Sequence, residues 1–138
     1  MRLWMIVAGI IYLVPVGELA RGESSPSNEE AEFYEVKVRP ILEANCYSCH
    51  GGLEGKAVKS NFNLSTRDGL LKGGENGPGV SIDQPGESQL IKAINYQDLQ
   101  MPPKGKLAQS QIDILTEWVK KGAPWSDKAA PVARDARV

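Results

Sequence analysis

The sequence predicts an all-α domain with long connecting loops, and three observations carry that prediction. Apolar residues recur at helical spacing in several short stretches, each with a polar start and a glycine stop. No stretch alternates polar and apolar residues for long enough to make a confident strand. Gly 14 and Pro 9 make up a sixth of the chain, which demands long turns. At 138 residues there is room for one domain. A net charge of −1 with 41% hydrophobic residues excludes a disordered tail, a collagen-like repeat and a polytopic membrane protein. The same neutrality argues against nucleic acid as a partner, because no basic surplus exists to displace counterions. Aromatic content is only 7%, so a core of side chains alone would be modest.

The N-terminus opens with Met1-Arg2, an apolar run from Leu3 to Val16, and then the small and polar residues of 17–22. That pattern is a secretory signal peptide over 1–22, with cleavage after Gly22 or near Leu19 or Ala20. The run is shorter than the roughly 20 residues of a membrane-spanning helix. An uncleaved anchor is the alternative, and on either reading the remainder is exported. Removing 1–22 leaves 14 basic and 16 acidic residues, one methionine, Met101, and one histidine, His50. Chemistry that needs either residue therefore has one candidate.

Residues 23–28 read as a short disordered lead. Ser27 and Glu30 then form a capping box, and Tyr34, Val38, Ile41 and Leu42 follow at helical spacing. Pro40 falls inside this pattern and marks either a kink or a second short helix. The helical stretch ends at Cys46, and a Gly- and Lys-rich loop runs from Gly51 to Asn63. Ser65 and Asp68 look like another capping box, for a two-turn helix that ends at Gly73 and Gly74. Turns fill Glu75 to Gly86, and Leu90, Ile91 and Ile94 form a stripe on a short helix. The last helix is capped by Ser110 and Asp113, buries Ile112, Leu115, Trp118 and Val119, and stops at Gly122 and Pro124. A flexible tail over 126–138 is expected.

Cys46-Tyr47-Ser48-Cys49-His50 is C-x-x-C-H, the attachment signature of c-type haem. Two thiols three residues apart reach two vinyl groups on one side of a porphyrin, and the histidine that follows lies under the ring. A disulfide between Cys46 and Cys49, a thioredoxin-like redox pair and a zinc site are the competing readings. Export favours haem, and a porphyrin would complete the modest core. Met101, followed by Pro102 and Pro103, lies 51 residues beyond His50. A thioether is a soft ligand opposite histidine, although a lone methionine is also ordinary core packing.

Together these residues resemble the planctomycete-type cytochrome c domain. The likeness runs from Phe33 to Leu42, through Cys46 to Gly51 and Ser65 to Gly74. It continues through Pro85 to Ser88, Leu90 to Ile94, Met101 to Lys104 and Trp118 to Trp125. The resemblance implies a cytochrome c fold over 29–125, with N- and C-terminal helices packed around one covalently bound haem c. It implies Cys46 and Cys49 as thioether anchors, His50 as proximal iron ligand and Met101 as distal ligand. The function it implies is an exported, periplasmic electron carrier that serves redox partner proteins, a monomer with no membrane span in the mature chain and no enzymatic role. An open distal site for small-ligand sensing or catalysis, or a non-haem disulfide-bonded interaction module, are the alternatives. Lys104 and Lys106 form either a basic rim for an acidic partner or a solvated turn. The free ring nitrogen of His50 is expected to donate to a backbone carbonyl, with one near Pro78 as the candidate.

Overall fold

The computed structural model describes residues 25–52 and 57–127. The expected signal peptide, the first residues of the lead and residues 128–138 of the expected tail lie outside them. The described residues are helical and contain no strand, only an isolated bridge between Gly74 and Gly77. The six α-helices are α1 (Asn28–Phe33), α2 (Arg39–Asn45), α3 (Tyr47–His50), α4 (Arg67–Lys72), α5 (Gln89–Ile94) and α6 (Gln109–Lys120).

Ser27 and Glu30 make the capping box that their spacing predicts. The Ser27 N–H donates to the Glu30 carboxylate at 2.9 Å, and the Glu30 N–H donates to Ser27 Oγ at 3.2 Å. Pro40 has no N–H to give to the preceding turn, and the chain accommodates this with a π-helical stretch over Tyr34–Val38. There the Arg39 N–H bonds to the Tyr34 carbonyl five residues back, so Pro40 falls in the first turn of α2. Tyr34, Val38, Ile41 and Leu42 are all buried, as their spacing predicts.

Two predicted caps are displaced. Thr66, not Ser65, caps α4, its hydroxyl accepting the Gly69 N–H at 3.0 Å. Ser65 instead donates from both its N–H and its hydroxyl to Asn63 Oδ1, at 2.8 and 2.7 Å. Helix α6 begins at Gln109, with Ala108, two residues before the expected Ser110, at the cap position and its N–H on the Gln111 carboxamide oxygen at 3.3 Å. In both cases several short polar residues compete within one turn, and the tertiary path of the entering chain decides among them.

The core forms where α6 packs against the π-helical stretch and α5. The α6 stripe of Ile112, Leu115, Trp118 and Val119 is buried, as are Leu90, Ile91 and Ile94. Trp118 donates its indole N–H to the Pro124 carbonyl at 2.7 Å. Its ring lies 5.9 Å from that of Tyr34, which lies 4.5 Å from Trp125. Gly122, at φ 89°, closes α6: its N–H bonds to the Val119 carbonyl and the next N–H, of Ala123, to the Trp118 carbonyl. Arg39 pairs with Glu35 at 2.8 Å and also donates to the Ser126 carbonyl at 2.8 Å. Ser126 is buried, so the packed chain runs past the expected start of the tail.

Candidate functional site

Cys46 is the hinge between α2 and α3. Its backbone (φ −121°, ψ −41°) departs from helical values, which ends α2 and starts a new single turn. In that turn the Cys49 and His50 N–H groups both bond to the Cys46 carbonyl, at 3.1 and 2.9 Å. Positions three and four apart share one helix face, so Cys46, Cys49 and His50 are brought together. Gly51 follows because a Cβ there would lie 2.5 Å from the Tyr47 carbonyl oxygen.

Both cysteines are free thiols, so the Cys46–Cys49 disulfide considered from sequence is not formed. Burial, reinforced by the neighbouring Cys49, pushes the Cys46 thiol up to about 11. Among the described residues no group of three His, Cys, Asp or Glu side chains is arranged to hold a metal ion. The Tyr47 and Tyr34 phenols are both held above their ordinary range, chiefly by burial.

His50 Nδ1 lies 3.1 Å from the Phe62 carbonyl oxygen, and the two rings lie 5.6 Å apart. A carbonyl can only accept, so Nδ1 carries the hydrogen and Nε2 of the neutral ring keeps the lone pair. The expected backbone partner is therefore present, but it is Phe62 and not a residue near Pro78. The His50 carbonyl in turn accepts the Leu64 N–H at 2.7 Å, so the loop is tied to the box at both Phe62 and Leu64. Asn61-Phe62-Asn63-Leu64, with one of two phenylalanines in the chain, was the available signal. Four alternating residues do not say which carbonyl turns inward.

Met101 is held separately, on the loop between α5 and α6. It is half-buried, and its N–H bonds to the Ala93 carbonyl of α5 at 3.1 Å. The Tyr96 hydroxyl donates to the Pro102 carbonyl at 2.7 Å, pinning the residue after Met101. Tyr96 takes a left-handed backbone (φ 63°), which costs a non-glycine residue about 1 kcal/mol. Nothing in the sequence singles out Tyr96, because neither its type nor its spacing advertises that conformation. Lys104 and Lys106 are exposed, with Lys106 Nζ 6.0 Å above the Tyr96 ring.

The donor set fits haem c: two free thiols on one helical turn, and an imidazole with Nε2 left for iron. Comparison with known proteins agrees. Residues 46–105 match the model of the family Planctomycete cytochrome C. No curated protein and no solved structure matches the chain. The matched segment opens on Cys46 and closes four residues after Met101, so it contains all four candidate site residues. From the first cysteine of the box to the turn beyond Met101, the chain is similar to the Planctomycete cytochrome C family.

Proposed function

We propose that the protein is a monohaem c-type cytochrome that carries single electrons between redox partner proteins outside the cytoplasm. Cys46 and Cys49 would anchor the group through thioethers, and His50 Nε2 and the Met101 thioether would ligate its iron. Haem c, when bound, supplies a one-electron couple. The observation that carries the reading is the His50 Nδ1 contact with the Phe62 carbonyl, which fixes the tautomer and presents Nε2 as the ligand.

The residues do the remaining work. His50 is held by the backbone of Phe62 and Leu64, and Met101 is held by the Ala93 and Pro102 carbonyl contacts. Ligands that keep their places at both oxidation levels make the reorganisation on electron transfer small. A Met101 thioether ligand together with the His50 imidazole would favour the reduced state relative to two imidazoles. No helix among the described residues is long and apolar enough to cross a membrane, in keeping with an exported carrier released from its signal peptide. The reading takes the protein as a monomer without enzymatic activity.

The test is export of the chain alongside a haem-attachment system. Mass spectrometry should find one added haem, and film voltammetry a reversible one-electron couple. A protein of unmodified mass contradicts the proposal. Rapid carbon monoxide binding by the reduced protein would favour ligand sensing or catalysis.

A further inference from the structure

We propose that the glycine turn Gly73–Gly79 is a clasp that sets the His50–Phe62 hydrogen bond, and so tunes the electron affinity of the group that His50 ligates. Gly74 and Gly79 are its positioning residues. The inference rests on the function proposed above.

Phe62 meets two neighbours. The His50 ring lies 5.6 Å away. The glycine turn abuts the Phe62 side chain too closely to admit a Cβ at Gly74 or Gly79. A Cβ at Gly79 would lie 2.4 Å from Cζ and 2.5 Å from Cε2 of the Phe62 ring. A Cβ at Gly74 would lie 2.3 Å from the Ser60 carbonyl oxygen and 2.8 Å from Phe62 Cβ. The turn is itself anchored: the Gly79 N–H bonds to the Leu70 carbonyl at 3.1 Å, and the Gly79 carbonyl accepts from Leu90 at 3.0 Å. The Glu75 N–H reaches the Ser60 carbonyl at 3.0 Å, pulling the loop that carries Phe62 toward the turn. Ser60 and Asn61 are both left-handed (φ 54° and 53°), a conformation that asparagine adopts readily but serine seldom does.

The clasp therefore fixes where the Phe62 peptide points. A carbonyl aligned on Nδ1–H draws that hydrogen outward, enriches Nε2 and favours the oxidised state of a ligated metal. Any push or slack at the ring tilts the peptide, weakens the bond and favours reduction.

The experiment compares the haem-loaded protein with Gly79→Ala, Phe62→Leu and the double variant. Gly79→Ala presses on the ring, whereas Phe62→Leu removes the ring atoms that abut the glycine. Each single change should raise the midpoint potential, read as a several-fold shift toward the reduced form against a fixed mediator. Each should also move the His50 Nδ1–H resonance, with helical circular dichroism unchanged. In the double variant the new methyl fills the vacated space, and both signals should return toward the parent. Gly86→Ala is the control, because a Cβ at Gly86 meets nothing within 4 Å, and it should match the parent. Unchanged potential and resonance in both single variants, or single-variant shifts that simply add in the double, overturn the clasp alone. A parent that loads no haem, or loads it without His50, overturns the proposed function and the clasp with it.

Discussion

The two sides of the candidate site are held in different ways. On the His50 side the proposed ligand is part of a helical turn whose N–H groups bond to Cys46, and its ring and carbonyl are both tied to residues 62–64. Behind that loop stand glycines packed too closely to admit a Cβ. On the Met101 side the proposed ligand rides a loop, its own N–H bonded to the Ala93 carbonyl and the next residue held by the Tyr96 hydroxyl, beside the exposed Leu99. A covalently tethered group needs one immobile side to fix its position. The other side needs only to deliver a thioether, and its looser attachment makes it the side where ligand exchange would begin.

His50→Ala is expected to have the largest effect. Cys46 and Cys49 should still hold the haem covalently, but the low-spin spectrum should vanish in both oxidation states. Retention of a low-spin spectrum would mean that the tightly held side is not the ligating side.

The box also has a stability signature before haem is attached. With its ordinary value of 9.0, the Cys46 thiol of the unfolded chain ionises before the folded one, which holds its proton to about 11. The contribution is therefore complete below pH 9.0 and is lost as pH climbs through about 11. At ~1.4 kcal/mol per unit, the loss is on the order of 2–3 kcal/mol. Denaturant titrations of the haem-free chain should show it, and Cys46→Ser should remove that part of the alkaline slope. Equal slopes in the two proteins would mean that Cys46 is not buried as described.

Tyr96→Phe should have the smallest effect, and it bears on the looser side alone. Loss of the hydroxyl bond to the Pro102 carbonyl should cost about 1 kcal/mol. Carbon monoxide should then bind the reduced protein several-fold faster, while the Nδ1–H resonance of His50 stays in place. A matching change at His50 would show that the two sides are not independent.

How far the sequence foretells this arrangement differs between the same two regions. The helical stripes of Tyr34 to Leu42 and Ile112 to Val119 read directly, because a 3.6-residue period is local information. The Cys46–His50 motif is equally local, since its residues are consecutive, although the helical turn over Tyr47–His50 is not among the expected elements. The partner of His50 does not read directly. A backbone carbonyl has no residue-type signature, and Phe62 rather than the Pro78 region supplies it through a path set by tertiary contacts. Gly79, next to Pro78, abuts the Phe62 ring, but no carbonyl of that turn bonds to His50. The latch at Tyr96 is invisible for a similar reason, since a left-handed tyrosine leaves no compositional trace. Caps at Ser65 and Ser110 gave way to Thr66 and Ala108, where neighbouring polar residues offered equivalent bonds.

The most direct test of the account is the visible spectrum of the haem-loaded protein, oxidised and reduced, with Met101→Ala beside it. The parent should show low-spin bands and an iron–sulfur charge-transfer feature, and the variant should lose that feature while keeping its haem through Cys46 and Cys49. A parent that is already high-spin, or a variant indistinguishable from it, would contradict His50/Met101 ligation and with it the reading as an electron carrier.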